Sequence, residues 1–328
     1  MMRFVKRLRV YINMNDILIS IIIPIYNVEQ YLAQCLDSIY NQDIDETKYE
    51  VICINDVSPD RSREIVLKFQ TQHRNLVFIE HERNLRQGGA RNSGLRVAKG
   101  KYIWFVDPDD YIEPNVLAYL INQMENYELD AIHFDYKRIV GDDITSYRTQ
   151  YVDDNIYTGK SFLMNQNNEL WWQRCIEVWR YIYNRNTLNV NDIRFVENQW
   201  YEDMEWSLHF LEIARRVKHI MMSPYYYRMN PSSTTQSEIS FQKLKDKCTI
   251  IKYIEKVRND SIFPNFDTEW NKYIQYALKD VNQQLKSMTQ EEQKLLLDDI
   301  AEISTHTHTH THTHTAKKFM LHLLCCRR

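Results

Sequence analysis

The chain has 328 residues, 44% of them apolar, and a net charge of −3 from 41 Lys and Arg against 44 Asp and Glu. A chain of this size buries a large core without disulfides or a structural metal, and it has room for two domains or one domain with an appendage. The balanced charge argues against a broad nucleic-acid-binding surface, so no nucleic-acid partner is expected. The longest early apolar run, Ile17 to Ile25, is broken by Ser20 and Pro24 and falls short of the ~20 residues of a spanning helix, which excludes an integral membrane protein and disfavours a secreted one.

With only 6 glycines the chain contains no GxGxxG. Gly94 to Gly100-Lys101 approaches a phosphate loop, but Tyr102 stands where Ser or Thr is needed. This argues against a dinucleotide-binding dehydrogenase and a P-loop NTPase. Cys35, Cys53, Cys175, Cys248, Cys325 and Cys326 form no CxxC, and no histidine spacing completes a zinc site. They read as reduced, buried thiols of a cytosolic protein.

Residues 1–16 form a basic arm, with Arg3, Lys6, Arg7 and Arg9 before Asp16. A frayed end, or a start codon ahead of Met14, is expected; a weak contact with anionic lipid is the alternative. Ile19 to Ile23 is a β-branched run suited to a strand buried on both faces. Val28, Tyr31, Leu32, Cys35, Leu36 and Ile39 then follow helical spacing. Tyr49 to Ile54 predicts a second strand, Ser58-Pro59-Asp60 a turn, and Ile65, Val66 and Phe69 the next helix. Leu76 to Ile79 predicts a third strand and Gly88 to Ala98 a helix that Gly100 ends. Tyr102 to Val106 predicts a fourth strand. Strand–helix alternation repeated in this way implies a parallel sheet with helices on both faces. Ligands of such sheets sit beyond the carboxyl ends of the strands. Those ends here carry Tyr26, Asn27, Asp56, Asn84, Asp107 and Asp109.

Past about residue 140 the alternation fades. Residues 171–206 hold Trp171, Trp172, Trp179, Trp200 and Trp206, which invite a sugar-stacking reading but are expected mostly in the core. His209 and His219 are expected on helices and not as ligands. From Phe241 the chain reads as helical, with Trp270, Tyr273, Ile274, Ala277, Leu278, Val281 and Leu285 on one stripe. Thr305 to Thr315 alternates Thr and His, and a basic tail, Ala316 to Arg328, follows. A solvated, structureless tail is expected there; metal binding by the histidines and contact of the tail with a membrane surface are the alternatives.

Asp107-Pro108-Asp109 places two carboxylates, one residue apart, at the ligand edge. Such hard oxygen ligands suit Mg²⁺ or Mn²⁺, completed by substrate phosphates. Asp110 and Glu113 have capping-box spacing, so Asp110 is expected mainly to cap the next helix.

The segments ISIIIPIYN (19–27), VICINDVSPDRS (51–62), NLRQGGARNSGL (84–95) and GKYIWFVDPDD (100–110) resemble, in order and spacing, those of the family 2 glycosyltransferases. WRYIYNRNTL (179–188), YEDMEW (201–206) and YYYRMNPSSTT (225–235) continue the resemblance, which spans residues 17–240. It implies the α/β GT-A fold, a Rossmann-like mixed sheet with helices on both faces, here with a helical extension over 241–304 and a tail over 305–328.

The resemblance also implies roles. Pro24, Ile25, Tyr26 and Asn27 match the first nucleotide-binding segment, with Tyr26 packed on the base. Asp56 matches the acid that accepts a hydrogen bond from the base, commonly uracil. The family usually places Gly next; Val57 stands there instead, and valine disfavours a positive φ. Arg91 and Asn92 match the ARN segment; Arg91 is read either as a phosphate contact and brace of Asp107 or as a structural ion pair. Asp107 and Asp109 match the metal-binding carboxylates. Asp203 matches the general base of an inverting transfer, with Glu202 binding the acceptor or supporting the base; on composition alone both acids would simply favour a helix N-terminus. Arg228, Ser233 and Thr234 match a loop closing over the donor diphosphate, and read equally as a surface loop.

The expected activity is metal-dependent transfer of a sugar, from a nucleotide-sugar that is expected to be UDP-linked, to a glycan or lipid-linked glycan in surface polysaccharide synthesis. The expected place is the cytoplasm, with a peripheral contact at the inner face of the plasma membrane. A nucleotidyltransferase or a catalytically silent nucleotide- or glycan-binding module is the alternative.

Overall fold

The computed structural model describes residues 17–148, 154–165, 175–230 and 239–306. The first half alternates as its sequence predicts: β1 (Ile19–Ile25), α1 (Leu32–Tyr40), β2 (Tyr49–Asn55), α2 (Ser62–Gln72), β3 (Leu76–Glu80), α3 (Arg86–Val97) and β4 (Tyr102–Phe105). β1 lies between β2 and β4, parallel to both, with Ile19 opposite Tyr49 and Tyr102. Its neighbours on either side explain why every residue of β1 is buried.

The second half supplies β5 (Tyr111–Ile112), α4 (Leu117–Asn126), β6 (Ala131–Val140), β7 (Asp143–Tyr147), β8 (Ile156–Tyr157), α5 (Gly159–Met164), β9 (Tyr181–Asn184), α6 (Arg185–Val190), α7 (Glu202–Ile213) and β10 (Val217–Arg228). The sheet order is β3-β2-β1-β4-β9-β6-β10-β5. The alternation predicts the parallel half only. β9 runs antiparallel to β4 and β6, so the whole sheet is mixed.

Successive strand side chains point to opposite faces, so the two faces carry separate cores. Ile21, Ile23, Cys53 and Trp104 pack with α1 and α4 on one face. Ile22, Ile54, Ile103 and Phe105 pack on the other with α3, α7 and the helical extension. That extension is α8 (Phe241–Asn259), α9 (Asp267–Gln284) and α10 (Gln290–His306). Leu244, Cys248 and Ile251 of α8 and the Trp270 stripe of α9 share this core with Phe195, Trp206 and Leu211. α10 reaches His306, within the start of the Thr-His repeat; the rest of the repeat and the basic tail lie outside the described residues, as do the N-terminal arm, Trp171 and Trp172. Among the described residues no helix is long and apolar enough to cross a membrane.

Two local expectations are corrected. His209 is helical, but His219 lies in β10, buried, with its Nδ1 2.9 Å from His133 Nδ1 of the neighbouring strand β6. Gly100 is not a left-handed helix cap. It is required by approach, since a Cβ there would stand 2.4 Å from the backbone nitrogen of Ser20. Ser20 Oγ, which accepts from the Gly100 N–H at 2.8 Å, donates in turn to the buried Glu50 carboxylate at 2.6 Å. Gly100→Ala is expected to cost on the order of 2–3 kcal/mol through overpacking, read as a lowered denaturation midpoint with an unchanged m-value.

Candidate active site

The parallel strands end on one edge. Tyr26 and Asn27 follow β1, Asp56 follows β2, His81 follows β3, and Asp107 and Asp109 follow β4. Pro24 and Ile25 themselves are buried within β1 and shape the edge only through the backbone. Tyr26 is 52% exposed, which leaves its ring free to meet a ligand. The Asn27 N–H donates to Ser58 Oγ at 2.7 Å, joining the loops after β1 and β2.

Asp56 is buried, and its Oδ1 is 2.7 Å from His81 Nδ1 and accepts from the Leu85 N–H at 2.8 Å. His81 Nε2 continues to Ser93 Oγ at 2.8 Å. These bonds hold Asp56 through one oxygen. His81 is a positioning group that the sequence reading misses; its only signal was its place just after the third strand. Val57 adopts φ +62° and is 45% exposed, so the loop keeps the left-handed conformation that glycine would take freely.

Arg91 of α3 joins the two acidic motifs. Its guanidinium donates to Asp107 Oδ1 at 2.8 Å and to Glu202 Oε1 at 2.6 Å, and its side chain is only 3% exposed. Burial alone would lower its pKa, but Asp107 and Glu202 hold it above the usual arginine value. The ion-pair reading of Arg91 and its bracing of Asp107 therefore meet in one side chain. Asn92, by contrast, is committed to residues 195–197. Its amide accepts from the Phe195 N–H and donates to the Phe195 carbonyl, both at 2.9 Å, and so fixes the loop leading to α7.

Glu202 and Asp203 open α7, where the helix dipole favours acids. Burial outweighs it. The Glu202 pKa is raised by desolvation despite the pull of Arg91. Asp203 is pushed up to about 8 by burial and then by Glu202. The two acids differ in their bonds: Glu202 is held by Arg91, whereas Asp203 has no hydrogen bond or ion pair among the described residues.

Asp109 accepts from Asn230 Nδ2 at 3.2 Å, and Arg228 Nη1 donates to the Asp109 carbonyl at 2.8 Å. Arg228 also binds Gln34 Oε1 at 2.6 Å and lies over the Tyr31 ring, so here it braces the acidic turn. Ser233 and Thr234 lie outside the described residues.

Asp110 does not cap α4, whose N-cap is Val116. It is buried, accepts from the Tyr225 hydroxyl at 2.8 Å and from the Arg228 N–H at 2.7 Å, and ties the acidic turn to β10. Tyr225 Oη in turn accepts from the Asp107 N–H at 3.0 Å. The spacing to Glu113 misled the sequence reading; Glu113 instead pairs with Lys137 and accepts from Tyr226 Oη at 2.6 Å.

Asp107 and Asp109 each leave an oxygen outside these side-chain bonds. Burial and then the charge of Asp107 raise the Asp109 pKa, a crowding that a divalent cation would relieve. The pair fits Mg²⁺ or Mn²⁺ in its donor chemistry. Among the described residues no group of three or more His, Cys, Asp and Glu is arranged to hold a metal, so two carboxylates would depend on substrate oxygens to complete a coordination shell.

The sequence profile of glycosyl transferase family 2 matches residues 20–188. The glycosyltransferase EpsJ of Bacillus subtilis is 34% identical over 247 residues, covering 73% of this chain and 69% of its own. The chain belongs to glycosyl transferase family 2. A poly(ribitol-phosphate) beta-glucosyltransferase of Bacillus spizizenii is 42% identical over 113 residues, covering 34% of this chain and 18% of its own. Among solved structures, Staphylococcus aureus TarS 1–349 in complex with UDP-GlcNAc superposes with a TM-score of 0.70 at 23% identity, covering 88% of this chain and 81% of that one. The mixed sheet and the C-terminal helices are thus those of a GT-A glycosyltransferase.

Within this glycosyltransferase Val57 is a strained exception, since a left-handed β-branched residue costs energy that glycine avoids. Val57→Gly is expected to raise the unfolding free energy by roughly 0.5–1 kcal/mol after glycine's entropy cost. Equilibrium denaturation measures it; an unchanged or lowered value contradicts the strain.

Proposed function

We propose that this glycosyltransferase moves a sugar from a UDP-linked donor to a hydroxyl of a glycan or lipid-linked glycan, with inversion at the anomeric carbon, in the synthesis of a surface polysaccharide. The observation that carries this reading is the Arg91 bridge, which joins the acidic turn after β4 to the acidic pair of α7 through one guanidinium. Tyr26 and Asp56 supply a ring and a carboxylate at adjoining strand ends, which suits a planar base such as uracil. The relative named for poly(ribitol-phosphate) glucosylation, and the neighbour solved with UDP-GlcNAc, support the donor and polymer classes. The site of action is proposed to be the cytoplasmic side of the membrane.

In this mechanism Asp107 and Asp109 would hold a divalent cation, which when bound would supply charge neutralisation for the departing diphosphate. Asp203 takes the proton of the acceptor hydroxyl as its oxygen bonds to the anomeric carbon and the bond from that carbon to the β-phosphate oxygen breaks. Glu202 cannot serve as easily, because Arg91 already engages its carboxylate. Arg91 holds Glu202 and Asp107 in place.

A raised pKa means that Asp203 is ionised, and so able to accept a proton, only as pH climbs. Turnover is therefore expected to rise toward about pH 8, the value to which Asp203 is pushed, and then level off. The test combines turnover, read as UDP release from a panel of UDP-sugars, with thermal shifts by UDP and Mn²⁺. Asp203→Asn should lose turnover and the rising limb while keeping the UDP–Mn²⁺ shift, and Asp109→Ala should lose the shift. Full turnover in Asp203→Asn, or no stabilisation of the wild type by any nucleotide, contradicts the reading.

A further inference from the structure

The helical extension reaches back to the acidic pair. Lys243, Asp246 and Lys247 stand at i, i+3 and i+4 on α8 and share one face. Asp246 is buried; its Oδ2 accepts from Arg86 Nη1 at 3.1 Å and from the Trp200 N–H at 2.9 Å, and its Oδ1 accepts from Gln242 Nε2 at 2.7 Å. The Arg86 guanidinium lies 4.6 Å from the Trp200 ring centroid, and the Lys243 ammonium lies 4.9 Å from it. The Lys247 ammonium sits 5.2 Å from the Tyr201 ring centroid and pairs with Asp280 of α9.

Trp200 and Tyr201 directly precede Glu202 and Asp203. Their turn is one that needs holding: Asn198 has φ +59° and Tyr201 has φ +65°, both left-handed and neither glycine. Arg86, the other partner of Asp246, is the first residue of α3 and itself has φ +61°. The preceding residue, Leu85, donates its N–H to Asp56. One carboxylate of α8 therefore grips both the turn that aims the acidic pair and the chain beside the base-binding acid.

We propose that Asp246 is a positioning residue for glycosyl transfer, and that the helical extension completes the active site by fixing the Trp200–Tyr201 turn against the start of α3. This rests on the reading of Asp203 as the base. Asp246 touches no reacting atom; it acts through the direction in which α7 begins. A small misplacement of a base is enough to slow transfer strongly, because proton removal needs hydrogen-bond distance.

The test uses the full-length chain with Asp246→Ala, Asp246→Asn and Asp299→Ala. Asp299 of α10 pairs with Lys252 of α8 at 2.7 Å, so its loss weakens the extension without touching the turn. Three quantities are read: kcat for UDP release from the UDP-sugar that the wild type turns over, affinity for UDP, and hydrogen exchange of the amides of residues 198–204. Asp246→Ala is expected to lower kcat by roughly 10–100-fold. It should keep UDP affinity within about twofold and speed exchange in that segment. Asp246→Asn retains an acceptor for the Trp200 N–H and should recover most of kcat. Asp299→Ala should keep kcat despite a lowered melting temperature. An unchanged kcat in Asp246→Ala, no recovery in Asp246→Asn, or an equal kcat loss in Asp299→Ala overturns the proposal. Asp203→Asn, assayed alongside, judges the base assignment separately: full turnover there removes Asp203 from that role, while the extension variants still report on the turn.

Discussion

A single buried guanidinium sets the arrangement of this glycosyltransferase. Arg91 stands between Asp107 and Glu202 and binds both carboxylates, with its own side chain almost fully buried. Removing one partner of a buried ion pair typically costs about 3–5 kcal/mol, and here two acids would be left uncompensated. The approach of α3 to α7 makes the bridge possible. A Cβ on Gly88 would stand 2.6 Å from the Val196 carbonyl oxygen and 3.2 Å from Glu202 Cγ, so glycine there lets the helix bring Arg91 between the acids.

Five of the ten non-glycine residues with positive φ among the described residues lie at the same edge. Asn27, Val57, Arg86, Asn198 and Tyr201 all have positive φ, and all lie beside the candidate donor-binding edge or in the approach to the acidic pair. Such conformations persist only where surrounding bonds fix them. Ser58 holds the loop at Asn27, Asp56 holds Leu85 next to Arg86, and Asp246 holds Trp200 next to Tyr201. The raised pKa values of Asp109, Glu202 and Asp203 have a related origin, since desolvation is the largest cause in each.

The fold's first half was legible because its strands are β-branched runs buried on both faces and its helices carry clear apolar stripes. The antiparallel β9 was not, since Tyr181–Asn184 is a four-residue strand among aromatics with no periodicity of its own. At the site, strand-end position pointed to Asp107 and Asp109 and the family resemblance to Glu202 and Asp203, yet neither could say which acid is held and which is free. That distinction lies in three-dimensional partners of Arg91, which the chain places 111 residues from Glu202. Asp110 was misread because a capping box and a buried tie to a distant strand look alike in one dimension. His81 and Asp246 escaped notice for the same reason: each acts on a partner remote in sequence, through a bond that no local pattern announces.

If Arg91 couples the two halves of the site, one neutral replacement must disable both. The direct measurement is Arg91→Met, checked for a cooperative unfolding transition, with UDP–Mn²⁺ affinity and turnover determined on the same preparation. Both are expected to fall together, affinity through the displaced Asp107 and turnover through the displaced Glu202–Asp203 turn. Wild-type affinity with lost turnover, or wild-type turnover, would contradict the claim that one guanidinium aligns them.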